Sequence, residues 1–272
     1  MSGAWRGGDY TAAGDAWAHA ADDVVEAALA GLSGAPRVLD VGTGSGPAAL
    51  AAARSGARVV GLDPEAGLLR VAAERARRAG SPVGWVAGDA RLLPFPAGTF
   101  DVVLSTFGVM FAPEPARVAA ESVRVTRPGG RLAIASWTPD GIMGRIAPTV
   151  LRHLDAPPAP GGPTRWGEPA RVEAWFAPLP VTVRCRVARV RVRYPSVAHA
   201  VSVFAGKPGP IRAHRLALER AGRWDRARAD LAALFAAHNR AGDGSLVFDA
   251  PYLLVEGRVR SGGAGNSAGH GR

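Results

Sequence analysis

Three glycines and an acid stand close together early in the chain, in the stretch RVLDVGTGSGPAAL, residues 37–50. The glycines recur at every second position, as Gly42, Gly44 and Gly46, and Asp40 lies two residues before the first. Glycine accepts positive φ and lets a ligand approach the backbone, and N–H groups at the start of a following helix face that ligand. Because a carboxylate here repels phosphate, the stretch predicts a cationic or zwitterionic ligand rather than a pyrophosphate.

Two further acids follow at places where predicted strands end. Asp63 comes directly after VVGL, and Asp89 comes after VAG. In doubly wound α/β proteins, an acid about twenty residues after the glycine turn binds the ribose hydroxyls. Since the carboxyl ends of parallel strands surround one crevice, we expect Asp40, Asp63 and Asp89 to face a single nucleoside-like ligand.

Histidines supply the candidate general bases. His19, His153, His214 and His238 all fall in segments predicted to cover the crevice. Proton transfer by a positioned imidazole is a common form of acid–base catalysis. His19 is the selected candidate, while a surface or packing role stays open for each of the four.

The elements that must position these residues are strands alternating with helices. Short runs rich in Val, Leu and Ile predict strands at 37–41, 58–63, 83–88, 100–106 and 131–137. Segments with helical patterns lie between them, at 47–56, 65–80 and 114–126. This alternation predicts βαβ units and a parallel sheet with right-handed crossovers.

The pattern changes after Trp137. Residues 138–179 read as short helical pieces split by prolines, 180–194 as a long strand, 196–240 as helical, and 245–259 as a strand pair or one bulged strand.

The long strand has an unusual apolar pattern. Its apolar residues occupy odd positions up to Val187 and even positions from Val190 onward. A bulge near Ala188 would return them to a single face, so we predict one there. The intervening arginines are predicted to lie on a solvated face.

Composition limits the class of protein. The chain has 272 residues, 47% of them hydrophobic, enough for one large domain. No apolar run is long enough to span a membrane and no secretory core follows the N-terminus, so a cytoplasmic location is predicted. Cys185 is the single cysteine, which excludes an intramolecular disulfide and a thiolate zinc cluster; no metal is predicted.

The net charge of +10 raises the question of nucleic acid. Lys207 is the only lysine, and the arginines are scattered along the chain. A solvated basic surface is therefore favoured, and nucleic-acid binding is kept as an alternative.

Four stretches, in order, carry a resemblance to a known family: VLDVGTGSG, VVGLDP, GDARLLPFPAGTFDVVLSTFGVMFAP and RVTRPGGRLAIASW. They resemble successive motifs of the class I S-adenosylmethionine-dependent methyltransferases, and look most like the ubiquinone/menaquinone-biosynthesis-like (methyltransferase type 11) group. TRWGEPARVEAWF and PYLLVEGRV also look like later segments of that group. The resemblance implies an α/β fold, a Rossmann-like doubly wound seven-stranded sheet with its last strand antiparallel, plus helical cap and lid insertions.

The resemblance also implies that the glycine turn holds the methionine part of S-adenosylmethionine, the expected cofactor. Gly42 and Gly44 would pass under it, Gly46 would complete the turn, and Asp40 would lie near the ammonium. Ser105, after the fourth strand, would lie near the methionine and the sulfonium.

The nucleoside would occupy the neighbouring strand ends, again by resemblance. Asp63 would accept both ribose hydroxyls, and Pro64 or Leu68 would pack on the adenine. Asp89 would accept from the adenine amino group, beside the backbone of Ala90. Purely structural roles as caps or turn residues stay open for the three acids.

Methyl transfer is an in-line displacement, so the protein mainly holds the nucleophile in line within a dry pocket. The turn after strand four reads STFGVMF, which lacks the Asn/Asp-Pro-Pro-aromatic pattern of amino methylation on nucleic-acid bases. The apolar, Trp-rich segments 138–179 and 195–243 predict a lid over a small apolar acceptor.

Aromatic and apolar residues near these segments are the pocket candidates. Phe107 and Met110 are expected to line the acceptor pocket, with core packing as the alternative. Trp166 is expected to pack in the lid beside the pocket, with a clamp on the acceptor as the alternative. Tyr10 or Trp17 could face the sulfonium through a cation–π contact, and simple packing of the cap is the alternative.

We therefore expect a single methyltransferase domain over 1–260. It comprises a helical cap (1–34), a cofactor-binding core (35–137), two lid insertions (138–179 and 195–243) and closing strands (180–194 and 245–259), followed by a disordered tail (261–272).

The predicted function is methyl transfer to a carbon, oxygen or nitrogen of a small, largely apolar metabolite, either a secondary metabolite or a quinone-like acceptor. An RNA methyltransferase, and a cyclase or binding protein that holds the cofactor without transferring methyl, are the alternatives. The predicted partners are the small-molecule acceptor and a second copy of the chain.

Overall fold

The structure, a computed structural model, describes residues 17–155, 162–206 and 209–261. A sheet lies at the centre of these residues. Its strands are β1 (Arg37–Val41), β2 (Arg58–Asp63), β3 (Val83–Ala87), β4 (Phe100–Thr106), β5 (Thr126–Trp137), β6 (Val181–Tyr194) and β7 (Leu246–Val259).

Helices pack on the sheet and above the carboxyl ends of its parallel strands. In the described ranges they are α1 (His19–Leu29), α2 (Pro47–Arg54), α3 (Ala66–Arg78), α4 (Pro115–Val125), α5 (Ile142–Leu151), α6 (Pro169–Phe176), α7 (Val197–Gly206), α8 (Pro210–Arg220) and α9 (Trp224–His238). Two short 3-10 turns lie at Val109–Phe111 and Pro163–Gly167. The segment predicted as helical over 196–240 is thus three helices.

The sheet order is β3-β2-β1-β4-β5-β7-β6. The first five strands are mutually parallel, while β7 runs antiparallel to both β5 and β6. This confirms the predicted fold class of a seven-stranded sheet with its last strand antiparallel. The order reverses direction at β1, which lies between β2 and β4, so the crevice at the ends of these strands is the expected ligand position.

The core explains why the elements form where they do. Val38 and Leu39 of β1 are fully buried, as expected for a strand covered on both faces. Ala49 and Ala52 of α2 are also fully buried, and their small side chains let the helix approach the sheet closely.

The predicted bulge near Ala188 is wrong. Pairing between β6 and β7 runs without interruption from Val181 opposite Val259 to Tyr194 opposite Leu246. The apolar residues change face because each half of β6 is covered on a different side. β7 is likewise one continuous strand rather than a strand pair or a bulged strand.

Two pairs of neighbouring side chains show which helix covers each half of β6. In the first half of β6, burial raises the pKa of the Cys185 thiol, and Glu173 of α6 is close enough for its charge to raise that pKa further. In the second half, Tyr194 packs edge-on against Phe204 of α7, with ring centroids 6.1 Å apart. Because side chains alternate along a strand, an odd and an even position point to opposite faces.

Parts of the predicted N-terminal cap and C-terminal tail fall outside the residues that the structure describes. Tyr10 and most of the predicted cap ahead of α1 lie outside the described residues, as does the predicted tail apart from Ser261. The division into cap, core, lid and closing strands stays a prediction. In the described part of the chain, no helix combines the length and apolar character needed to cross a membrane.

Candidate functional site

The glycine turn joins the end of β1 to α2 and touches the turn after β4. A Cβ added to Gly42 would lie only 2.8 Å from the Cα of Gly108, so the two backbones need glycine at this contact. Gly46 packs differently: its Cβ would meet the indole of Trp85 and the side chain of Ala72. Gly42 and Gly46 therefore have structural roles, and the predicted ligand contact of Gly46 gains no support.

Gly44 is the open member of the turn. It has a φ of +56°, and a Cβ placed there would meet nothing within 4 Å. Its N–H donates to Oδ2 of Asp63 at 2.9 Å. The space next to Gly44 is therefore open to a ligand, and a side chain at this position would narrow it.

Asp63 is buried at the tip of β2, with both carboxylate oxygens engaged. Oδ2 accepts from Gly44, and Oδ1 accepts from the N–H of Glu65 at 2.9 Å. Burial raises the pKa of Asp63, while these two N–H groups lower it. Because a carboxylate offers about four acceptor positions, lone pairs remain for a pair of ribose hydroxyls.

Asp40 lies beneath the same turn and is 1% exposed. The Thr43 hydroxyl donates to its Oδ2 at 2.6 Å, while Oδ1 is buried without a hydrogen-bond partner. Burial raises the pKa of Asp40 to about 7, against the smaller lowering effects of the Thr43 hydroxyl and the Ala49 N–H. A buried acceptor without a donor costs free energy. The ammonium group of a ligand would supply the hydrogen-bond donor that Oδ1 lacks, directly or through water.

Asp89 is held by an arginine that sequence reasoning missed. Arg91 Nη2 lies 2.7 Å from Asp89 Oδ2, and the Arg91 N–H donates to Oδ1 at 2.9 Å. The same guanidinium contacts Glu114 Oε1 at 2.6 Å. Arg91 lowers the pKa of Asp89, which keeps it ionised as an acceptor. Arg91 stands only two residues after Asp89, and its guanidinium also contacts Glu114, which is 23 residues further along the chain.

The predicted adenine wall lies at the mouth of the crevice. Pro64 is exposed directly after β2, Leu68 is half-buried on the first turn of α3, and Ala90 is half-buried beside Asp89. Their ligand contacts stay predictions.

Ser105 is used by the fold. Its hydroxyl donates to the carbonyl of Val41 at 2.6 Å and accepts from the N–H of Val109 at 3.0 Å. The residue is 1% exposed, and its single hydroxyl hydrogen is committed. Ser105 therefore ties the end of β1 to the 3-10 turn after β4, and a side-chain contact with a sulfonium gains no support.

Aromatic side chains gather where β4 and β5 end. Phe107 stacks on Trp137, with ring centroids 3.7 Å apart and planes at 8°. Tyr252 of β7 meets Phe107 edge-on at 5.7 Å, and Trp17 meets Trp137 edge-on at the same distance. Trp17 also stacks on Phe204 of α7 at 6.3 Å. We call Trp17, Phe107, Trp137, Phe204 and Tyr252 the aromatic cluster.

Phe107 connects this cluster to the glycine turn. It has a φ of +59°, uncommon for a bulky residue, and its N–H donates to the Ala135 carbonyl at 2.9 Å. The next residue, Gly108, is the one that packs against Gly42. Strained backbone of this kind persists only where the surroundings fix it, often at functional sites. The aromatic cluster therefore begins one residue from the contact with the ligand turn.

Met110 and Trp166 are both buried in short 3-10 turns. Met110 is 4% exposed in the first 3-10 turn, and Trp166 is 1% exposed in the second. The indole of Trp166 contacts Trp175 of α6 at 5.0 Å between ring centroids. Trp166 therefore packs against α6. Among the described residues its ring contacts no ring of the aromatic cluster, although the next residue, Gly167, packs on the backbone of Trp137.

The candidate bases are not brought to this cluster by any contact among the described residues. His19 is exposed at the first position of α1. His153 Nε2 lies 2.7 Å from Asp230 Oδ2 of α9, and His238 Nδ1 lies 2.8 Å from its own helix carbonyl. His214 lies on α8. The role of His19 as a general base stays a prediction without structural support.

Sequence reasoning also missed Thr43, Gly108, Trp137 and Tyr252. The glycine in STFGVM was a usable signal for a close backbone approach. The positions of Trp137 and Tyr252 required the β5–β7 register, which places them opposite each other.

Comparison with known proteins agrees with this geometry. Residues 39–134 match the family described as a methyltransferase domain. An uncharacterized protein of Mycobacterium tuberculosis is 39% identical over 184 residues, which cover 67% of this chain and 66% of the relative, just under two thirds of its length. The demethylmenaquinone methyltransferase of Renibacterium salmoninarum is 40% identical over 102 residues, covering 38% of this chain and 41% of that enzyme.

Solved structures share the fold. A putative methyltransferase from Bacillus halodurans superposes with a TM-score of 0.60 at 19% identity, covering 88% of this chain and 98% of that one. The [4+2]-cyclase SpnF superposes with a TM-score of 0.55 at 23% identity, covering 90% of this chain and 82% of that one. At these identities the likeness concerns the fold alone.

The sheet order, the matched motif region and the curated relatives agree with the resemblance carried by the sequence motifs. The cofactor of such proteins is S-adenosylmethionine. The unpartnered oxygen of Asp40 fits its ammonium group, and the oriented carboxylate of Asp63 fits its ribose hydroxyls. The open space at Gly44 lets the ligand approach the backbone. Residues 39–134 are a methyltransferase domain similar to those of the class I S-adenosylmethionine-dependent methyltransferases.

Proposed function

We propose that this protein transfers the methyl group of S-adenosylmethionine to a small, largely apolar acceptor. The observation that carries the proposal is the aromatic cluster at the ends of β4 and β5, connected through Phe107 and Gly108 to the turn that would hold the cofactor. Such a wall excludes water and positions a flat or apolar molecule next to the transferred methyl group.

The chain's own residues would divide the work. Asp40, Gly44 and Asp63 would hold the ammonium, the backbone side and the ribose of the cofactor, and Asp89, oriented by Arg91, would accept from its adenine. The bound cofactor supplies an activated methyl group on a sulfonium. The face of an aromatic ring attracts such a cation, so Phe107 or Trp137 could stabilise it.

No described residue is placed as a base for the acceptor. Burial raises the pKa of Tyr252 to about 12, with Asp23 adding to the shift, so its hydroxyl is a donor rather than a base at neutral pH. Tyr252 contacts Asp23 at 3.5 Å. The proposal therefore favours acceptors that ionise readily, such as phenols and enols, since their nucleophile needs little help in losing a proton.

A quinone-like acceptor is supported by the demethylmenaquinone methyltransferase relative, which aligns over 38% of this chain. A secondary metabolite is an equal candidate at this level. The cytoplasmic location and the homodimer stay predictions.

The test is incubation with methyl-labelled S-adenosylmethionine and a panel of naphthols, quinols and other apolar phenols, with short RNA as the competing acceptor. We expect label in a small phenolic or enolic product. Label in RNA alone would favour the RNA alternative. Tight S-adenosylhomocysteine binding with no label in any acceptor would favour a cyclase or binding protein.

A matched variant sharpens this test. Phe107→Leu keeps an apolar side chain but removes the stacked ring, so it should raise the acceptor KM while leaving S-adenosylhomocysteine affinity within about twofold. An unchanged KM would argue that the aromatic cluster is only core.

A further inference from the structure

A second cleft lies at the opposite end of the sheet from the cofactor crevice. It has a volume of about 500 Å³ and opens where β5 begins and β7 ends. Ala27 and Ala28 of α1 form one wall. Its charged lining consists of Arg131, Arg184, Glu256, Arg258 and Arg260.

The strand register places most of these charges on one face. Arg131 lies opposite Arg258, and Arg258 lies opposite Thr182. One pair further along, Glu256 lies opposite Arg184. Like charges directly opposite each other in an antiparallel pair are unfavourable, so the Arg131–Arg258 pair has a cost that an anion would remove.

The apolar switch in β6 explains why this face is left uncovered. Even positions of the strand are polar in its first half, as Thr182 and Arg184, and apolar in its second half, as Val190 and Val192. Helices α7 and α9 cover the second half of that face; Phe235 of α9 stacks on Phe248, the neighbour of Val192 in β7. The cleft therefore opens over the polar half.

Two of the arginines are already engaged by backbone. Arg131 donates to the carbonyls of Ala28 and Ala30 at the end of α1, and Arg260 donates to the carbonyl of Leu179. Glu256 is bound by Arg186 at 3.2 Å.

Arg184 and Arg258 differ from these. Both are exposed, and within the described ranges neither guanidinium group has a hydrogen-bond or ion-pair partner. They occupy diagonal positions in the β6–β7 pair, where Cβ atoms are about 7–8 Å apart. Two guanidinium groups at this separation can bind one multivalent anion between them.

We propose that this cleft binds a small phosphorylated ligand with two linked phosphates, held mainly by Arg184 and Arg258. Guanidinium groups bind phosphate oxygens through paired, charge-assisted hydrogen bonds. Two linked phosphates span the diagonal better than one. The alanine wall offers a contact for the remainder of such a ligand. The cleft is remote from the cofactor crevice, so the site does not depend on the proposed methyl transfer.

The test is calorimetric titration of the full chain with inorganic pyrophosphate at about 150 mM salt, where distant charges are screened. Arg184→Gln and Arg258→Gln should each weaken binding by about tenfold or more, the loss expected for a charged hydrogen bond.

Arg189→Gln is the matched control. Arg189 is an exposed arginine of the same strand, lies on the opposite face and has no described partner, so its replacement removes the same charge. Binding should stay within about twofold of wild type, because only screened charge is lost.

Three results would overturn the proposal: no pyrophosphate binding by the wild-type chain, equal weakening by Arg189→Gln, or binding of single-stranded RNA that pyrophosphate does not displace. Pyrophosphate should also raise the Tm of wild type but not of the Arg184→Gln/Arg258→Gln double variant, whose own cooperative melting shows that it is folded. S-adenosylhomocysteine affinity should be unchanged in the double variant, which separates this site from the cofactor crevice.

Discussion

Asp40 and Asp63 lie on the same crevice but meet it differently. Both Asp63 oxygens accept backbone N–H groups at hydrogen-bond distance. Asp40 accepts the Thr43 hydroxyl on Oδ2, and its Oδ1 has no partner at hydrogen-bond distance, with the Ala49 N–H acting on the carboxylate more weakly. Asp63 is therefore oriented before a ligand arrives. Asp40 is an acid whose charged form depends on what binds beside it.

Cofactor binding should depend on pH through Asp40. Its pKa in the folded protein is about 7, so the ionised form that attracts an ammonium grows as pH rises through 7. S-adenosylhomocysteine should bind more tightly at pH 8 than at pH 6, by up to about tenfold. In Asp40→Asn, affinity should be lower and nearly independent of pH; an unchanged pH profile in that variant would exclude Asp40 as the cause.

Without ligand, the contribution of Asp40 to the free energy of unfolding should fall as pH rises, whereas its contribution to cofactor binding should grow. Since the folded-state pKa of Asp40, about 7, lies above the ordinary value of 3.8, the folded protein binds more protons than the unfolded chain between these pH values. The free energy of unfolding contributed by Asp40 is thus greatest below pH 4 and is lost as pH rises through 7. Urea unfolding of wild type and Asp40→Asn from pH 4 to 8 measures this difference.

Asp63 should be essential for the cofactor. Asp63→Ala removes both the proposed acceptor for the ribose hydroxyls and the partner of the Gly44 N–H, so calorimetry should detect no S-adenosylhomocysteine binding. Asp225→Asn, an exposed acid on α9, is the control and should bind as wild type does. Near-wild-type affinity of Asp63→Ala would contradict the site.

At the level of elements, the turn after β1 and the turn after β4 act as one unit because Gly42 and Gly108 touch. The ligand side of that unit is tested at Gly44, which has positive φ but open space around it. Gly44→Ala should cost about 1–2 kcal/mol of stability from its backbone conformation and should greatly weaken S-adenosylhomocysteine binding.

Gly56 provides the comparison. It also has positive φ, at +84°, with nothing within 4 Å of an added Cβ, and it lies after α2. Gly56→Ala should cost a similar free energy of unfolding, measured by urea, and leave binding intact. Equal loss of binding in both variants would assign the effect to stability rather than to ligand approach.

The closing strands carry a chemical probe in Cys185. Burial raises the pKa of its thiol to about 11, so at pH 8 it should react with iodoacetamide about 100-fold more slowly than a thiol of pKa 9. Labelling followed by mass spectrometry checks this rate. Fast labelling under native conditions would mean that β6 opens. Methyl transfer should persist in Cys185→Ser.

The elements could be predicted because each carries its own periodicity. Glycines and strand-end acids likewise indicate the ligand turn, since they lie within or just after β1, β2 and β3. The aromatic cluster could not be predicted in the same way, because Trp17, Trp137 and Tyr252 meet only through the β5–β7 register. The bulge prediction failed because one strand was assumed to have one covered face.

At the scale of the whole molecule, the two ends of the sheet have different chemistry. The carboxyl ends of the parallel strands hold three acids, glycine turns and aromatic rings, while the other end holds an arginine-lined cleft. Part of the net charge of +10 is therefore concentrated in one place, where the strand register brings several arginines together. The arginines of the cleft are thus available for a small anionic ligand at that end of the sheet, and they have no part in the cofactor crevice.

The antiparallel direction of β7 also fixes where the two ends of the described chain lie. Trp17 lies against Trp137, beside the proposed acceptor wall, whereas Ser261 lines the arginine cleft at the other end. A reporter group attached next to Trp17 should therefore sense the proposed acceptor wall, whereas one attached at position 261 should sense the arginine cleft. Because the two positions lie at opposite ends of the sheet, each reporter should respond to the ligand at its own end and not to the ligand at the other.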